Sequence, residues 1–158
     1  MNELSASRPA RPTGGSFPPP QLPRDYLAGG YFDEQGAIRR ELLGELAKSV
    51  AKILAQGKPE LTNGQFRRFY DHARAVEQRL NLLEKTESQA WRLVEGDIEK
   101  LKAFAAEARA KNKVPVVFYD FIVANVNATR NSKDFRKGFI EHMQAVLAFH
   151  AYEKPRRS

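Results

Sequence analysis

The chain has 158 residues, no cysteine, and 26 Lys+Arg against 19 Asp+Glu, a formal net charge of +7. That length allows one domain with a real core, and the missing cysteines exclude disulfides and thiolate metal sites and suit a reducing compartment. No apolar run approaches the ~20 residues that span a bilayer and the N-terminus carries no signal-like apolar stretch, so a cytoplasmic protein is expected.

Six of the nine prolines (Pro9, Pro12, Pro18, Pro19, Pro20, Pro23) fall in residues 1–24. Apolar residues are almost missing from this arm, so it cannot offset its ordering entropy and is expected to be disordered. Its Pro18-Pro19-Pro20 run favours extended polyproline geometry. Tyr31-Phe32-Asp33 makes a short anchor, after which Ile38, Leu42, Leu46, Val50, Ile53 and Leu54 line one face of a first helix that stops at Gly57. Lys48 and Lys52 sit four apart on that helix's surface.

A central helix is expected from about Gln65 to Lys85, opened by a capping box in which Thr62 and Gln65 satisfy each other's amides. Asn63-Gly64 also reads as a hairpin turn, but its flanks do not alternate with period two, and the helix start is preferred. Phe66, Phe69, Tyr70, Ala73, Val76, Leu80 and Leu83 recur at steps of three and four and form its buried stripe. At about 100° per residue, Arg67, Arg74 and Lys85 fall in one row on the other side, with Asp71 partly neutralising it. Such a row is either a solvated face or a surface for an anionic partner.

Thr86 and Gln89 form a second capping box and open a third helix, whose stripe is Trp91, Val94, Ile98, Leu101, Ala105 and Ala108. Its outer charges alternate in sign, the pattern of a solvated face. Lys111-Asn112-Lys113 is a basic loop. Val114 to Val126 has strong β propensity, yet Pro115 suits a helix start, and Phe118, Phe121, Ile122 and Val126 keep the helical step, so a fourth helix is expected. Ser132 is the expected N-cap of the last helix, which buries Phe135, Phe139, Met143, Val146, Leu147 and His150. Arg130, Lys133, Arg136 and Lys137 crowd its start, where cations oppose the helix macrodipole but converge with free amides into a possible phosphate seat.

The resulting expectation is an all-α fold, a compact bundle of about five helices. Residues 1–24 form a disordered Pro-rich arm, 25–153 the helical domain and 154–158 a basic tail. No catalytic arrangement stands out. The three histidines (His72, His142, His150) lack ligand spacing, and Glu95, Asp97 and Glu99 point to different sides of one helix. There is no P-loop, dinucleotide turn or nucleophile elbow, so neither a catalytic residue nor a metal or other cofactor is assigned.

With these residues in view, the chain resembles the small-subunit family of the type III-A CRISPR effector, the Csm complex. The likeness begins at Tyr31-Phe32-Asp33 with Gly36 and Arg39-Arg40-Glu41-Leu42-Leu43. It is most specific at Leu61-Thr62 and Gln65-Phe66-Arg67 with Phe69-Tyr70, and it closes on Lys133-Asp134-Phe135 through Phe149-His150-Ala151-Tyr152. The proline-rich arm is not part of that pattern. The resemblance implies a non-catalytic subunit in antiviral defence, stacked beside the backbone and large subunits and neighbouring copies of itself, helping to hold target RNA on guide RNA. It places a basic residue at Arg67. Charge and helix geometry add Arg68, Arg74 and Arg79 on the same helix, Lys48 and Lys52 on the first, and Arg130, Lys133, Arg136 and Lys137 near the last. Contacts of this kind follow charge and shape, because base pairing supplies the sequence. The competing reading is a helical protein–protein adaptor with solvated basic faces. A membrane-surface protein fits poorly, because each helix needs its apolar stripe for the core.

Overall fold

The computed structural model describes residues 18–154, so most of the expected arm (residues 1–17) and the tail from 155 lie outside the described residues. Five α-helices follow in order: α1 Glu45–Ala55, α2 Asn63–Leu82, α3 Glu87–Ala110, α4 Val116–Asn127 and α5 Ile140–Glu153. A 3-10 turn, Arg40–Leu42, precedes α1, and a π-helical segment, Asp134–Phe139, runs directly into α5. Among the described residues there is no strand; a single antiparallel bridge joins Phe32 to Ile38. None of the described helices is long and apolar enough to cross a membrane.

The expected first helix starts later than its periodicity suggests. Ile38 is used in the bridge to Phe32, Leu42 is buried from the 3-10 turn, and regular helix begins only after Gly44. Gly57 ends the α1 region and meets Pro115 so closely that a Cβ there would lie 2.5 Å from the proline ring. The central helix ends at Leu82, which leaves Lys85 outside it. At its start Thr62 accepts from the Gln65 amide at 3.1 Å, one half of the expected capping box. At α3 both halves form, between Thr86 and Gln89. The stretch from Val116 is helical, with Pro115 as its cap residue.

α5 packs on α1 and α2, while α3 packs on α2 and α4, so the five apolar stripes close on one core. Its centre is aromatic. Phe69 and Phe118 stand edge to face with centroids 5.0 Å apart, and Phe66 meets Phe118, Phe121 and His150 in the same geometry. Edge-to-face contact places the positive ring edge on the negative face of its neighbour, which adds direction to simple burial. Trp91 packs on Phe135 from the α3 side.

The segment before α1 is part of this core. Leu22, inside the expected arm, is partly buried against it, and Tyr26, Leu27 and Tyr31 are buried. The Tyr31 hydroxyl donates to the side-chain oxygen of Asn125 at 2.8 Å, and Asn125 donates in turn to the Tyr26 oxygen at 3.2 Å. His142 completes the network. Its Nδ1 lies 2.7 Å from the Leu42 carbonyl, which can only accept, so Nδ1 carries the proton and Nε2 accepts from Tyr26. Burial pushes the His142 imidazole down to about 4, so the neutral form is the one held.

Ser132 is not the N-cap of the last helical run. The Asn131 side chain accepts from the Asp134 amide at 2.8 Å, and the Asp134 carboxylate accepts from the Arg130 amide at 3.0 Å. Ser132 instead donates to Glu87 at the start of α3. His150 is a hydrogen-bonded core histidine, with Nδ1 2.8 Å from the Asn63 side-chain oxygen.

Candidate nucleic-acid interface

The ten basic residues singled out from the sequence divide by whether a carboxylate holds them. On α2, Arg67 is exposed and has no ion pair among the described residues. Arg68 is exposed on the flank toward α3 and is likewise unpaired among the described residues. Arg74 is not opposite the aromatic stripe. It donates to the hydroxyl of buried Tyr70 at 3.1 Å and pairs with Glu77 at 3.0 Å, so it borders the stripe, with Glu141 of α5 within electrostatic reach. Arg79 reaches across to α3 and pairs with Asp97, which also meets Lys100 at 3.5 Å.

Lys48 and Lys52 are exposed on α1, which packs chiefly on α5, and they stand apart from the arginines on α2. Near the last helix the four cations behave differently from one another. Arg136 donates to Glu87 at 2.8 Å, to Ser132 at 3.2 Å and to Asn81. Hydrogen bonds from Ser132 first and Arg136 second hold the Glu87 carboxyl below the usual carboxylate range. Lys133 sits 4.4 Å above the Phe32 ring, a cation–π contact. Arg130 and Lys137 are exposed, and Lys137 borders a shallow hollow with Phe32 and Glu141. With Asn131 and Asp134 already occupying amides at this helix start, the expected phosphate seat is largely filled from within the chain.

The start of α2 and the end of α3 together make an exposed basic surface, with Arg67 and Arg68 on one side and Lys111 and Lys113 on the other. Between them lies a cleft of about 280 Å³ with Phe69, Leu101 and Phe104 among its walls. Phe69 and Leu101 are core residues, whereas Phe104 lies off the α3 stripe and stays 42% exposed. His72 flanks it, its ring edge-to-face with Phe104 at 5.3 Å and its Nε2 donating to the Asp97 carbonyl at 3.0 Å. Arg68, Lys111 and Lys113 stand around the cleft with Glu107.

Local rules of chain termination put those charges there. Asn112 takes a left-handed conformation (φ 58°), and the Asn112 and Lys113 amides bond back to the Arg109 and Ala108 carbonyls. That is a Schellman end with Asn in the position glycine usually takes, and it fixes Lys113 beside the last turn of α3. Lys111 pairs with Glu107 at 2.9 Å and, with Lys113 behind it, holds that carboxyl below its usual range. One lysine thus offsets the one carboxylate, and Arg68 and Lys113 remain in excess.

Sequence reasoning located Arg67, Arg68 and the Lys111–Lys113 loop but did not join them. Phe104 and His72 were missed; the available signal was an aromatic residue standing off its helix's stripe. Among the described residues no group of three or more His, Asp or Glu side chains is placed to hold a metal ion.

Comparison with known proteins gives one finding. A model of the Csm2 Type III-A family matches residues 38–156. No curated protein and no solved structure matches the chain.

Proposed function

The chain belongs to the Csm2 family, a small subunit of the type III-A CRISPR complex, and from that premise we propose that it binds RNA without cleaving it. In this reading it stacks along the guide–target RNA duplex, beside the backbone and large subunits and neighbouring copies of itself, and helps to hold the target RNA. The observation that carries the proposal is the contrast on α2. Arg67 and Arg68 stand exposed at its start with no acidic partner among the described residues, while Arg74 and Arg79 further along are each tied to a carboxylate. An unpaired guanidinium on a rigid, capped helix is free to take a phosphate bidentately and gives up no internal bond to do so.

Lys48, Lys52, Arg130 and Lys137, exposed elsewhere on the bundle, add weaker long-range attraction; Lys133 is engaged with Phe32 and Arg136 with Glu87. The apolar side chains left outside the core suit protein neighbours. Leu82 is 81% exposed and Tyr152 77%, more than any core stripe tolerates. Filter binding of the full chain to short RNA at low and moderate salt tests the reading. RNA retained at low salt and released as salt rises supports it. No retention at either salt leaves the chain a protein–protein adaptor.

A further inference from the structure

We propose that the cleft between α2 and α3 seats one unpaired base of a bound RNA, stacked on Phe104, with the adjoining phosphates on Arg68 and Lys113. The inference rests on the RNA-binding reading above and specifies what one part of that surface holds.

Three observations point the same way. First, Phe104 is a large ring kept 42% exposed by its own helix register, while the neighbouring walls Phe69 and Leu101 belong to the core. An aromatic face presented on a rigid helix is what a base stacks on, and it accepts any base because every base has a π-face. Second, the cleft is small. At about 280 Å³ it falls just below the roughly 300–1,000 Å³ of drug-sized ligand sites. A single planar ring fits that size, and an extended peptide or paired bases do not.

Third, the charge is arranged for an anion on the rim. Glu107 is offset by Lys111 at 2.9 Å, which leaves Arg68 from α2 and Lys113 from the end of α3 on the two sides. A guide–target duplex keeps its bases stacked inside and offers only phosphates, so a cleft with an aromatic wall calls for a nucleotide turned out of the duplex or left unpaired. The floor is also preformed. His72 is held by its bond to the Asp97 carbonyl and packs perpendicular to the Phe104 ring, so the ring is supported before any ligand arrives.

The test uses the full chain and a short oligouridylate, with affinity measured at several salt concentrations. Wild type is compared with Phe104→Ala, Phe104→Tyr, which keeps the ring, and Arg67→Ala, which lies outside the cleft. Phe104→Ala should weaken binding roughly 5- to 150-fold, the range one stacked base supplies, with the salt slope unchanged. Phe104→Tyr should stay close to wild type, while Arg67→Ala should flatten the slope by roughly one unit. RNA carrying 5-iodouridine should photo-crosslink to Phe104 or His72. Wild-type affinity in Phe104→Ala, with Arg67→Ala still flattening the slope, overturns the cleft proposal and leaves the RNA-binding reading standing. Wild-type chain that binds no oligouridylate overturns both. Unchanged RNA affinity together with loss of a co-purifying subunit in Phe104→Ala assigns the cleft to a protein neighbour and also overturns the proposal.

Discussion

The Tyr31 ring lies directly against Gly138, where an added Cβ would sit 2.4 Å from a ring carbon. Gly138 belongs to the π-helical segment, and Tyr31 to the segment that precedes α1, so one missing methyl group lets the N-terminal segment enter the core. Glycine inside a helix ordinarily costs about 0.5–1 kcal/mol relative to alanine. Here the sign should reverse. Gly138→Ala should destabilise by ~1–3 kcal/mol through overpacking. Gly96, in α3 with nothing within 4 Å of its Cβ position, is the internal control. Gly96→Ala should stabilise by about 0.5–1 kcal/mol. Denaturant midpoints of the two variants moving in the same direction would contradict this account of the packing.

Acid sensitivity follows from His142. Its folded form is held near 4 against an ordinary value of 6.5, mainly by burial. Above pH 6.5 both folded and unfolded chains carry a neutral imidazole, so stability from this group is full and flat. As pH falls from 6.5 toward 4 the unfolded chain takes up a proton that the folded chain refuses, and about 3 kcal/mol is lost. His150, also lowered by burial first, acts in the same direction. His142→Gln should remove most of the slope between neutral pH and pH 4.5, whatever it does to the midpoint. A wild-type stability profile that is level over this window would show that His142 is not held neutral.

Phe69 and Phe104 face opposite fates although both line the same cleft. Phe69 is 6% exposed and packs on Phe118. Phe69→Ala should cost ~3–5 kcal/mol, enough to unfold much of a marginal domain. Phe104→Ala, at a half-exposed position, should leave the melting temperature within a few degrees of wild type, and thermal denaturation distinguishes the two.

Arg136 should prove structural rather than RNA-binding. Its bonds to Glu87, Ser132 and Asn81 join the start of the last helical run to α3 and α2. Because Glu87 is largely exposed, the pair is worth no more than about 1 kcal/mol. Arg136→Ala should therefore lower the denaturant midpoint slightly and leave the salt slope of RNA binding at its wild-type value. A flattened slope with an unchanged midpoint would return Arg136 to the interface.

Most of the fold was legible because each helix buries a stripe at steps of three and four, and local capping marks the start of α2 and α3. The misses have physical reasons. Ile38 continues the α1 period but is spent on a bridge to Phe32, a pairing no helical periodicity reports. Asn131 and Ser132 both suit a cap, and the choice between them depends on Glu87, 45 residues away from Ser132. Arg74 lies four positions after Tyr70 and therefore only about 40° around the helix from it. Its long side chain turns back to the tyrosine hydroxyl instead of outward. The partners of Arg79 and Arg136 lie on another helix, 18 and 49 residues away, so sequence spacing could not tell paired cations from free ones. The same limit hid the cleft, since Phe104 and Arg68 meet only after α2 and α3 fold back on each other.

The most direct test of the account compares Arg67→Ala with Lys100→Ala in the assembled complex, measuring target RNA affinity at several salt concentrations. Arg67 is exposed and unpaired among the described residues, whereas Lys100 is also exposed but sits beside Asp97 at 3.5 Å on a mixed-sign surface. Arg67→Ala should weaken binding alike for unrelated RNA sequences and flatten the salt slope by roughly one unit, with Lys100→Ala indistinguishable from wild type. Equal affinity and equal slope in the two variants would contradict the account, making the start of α2 an ordinary solvated face and the chain an adaptor.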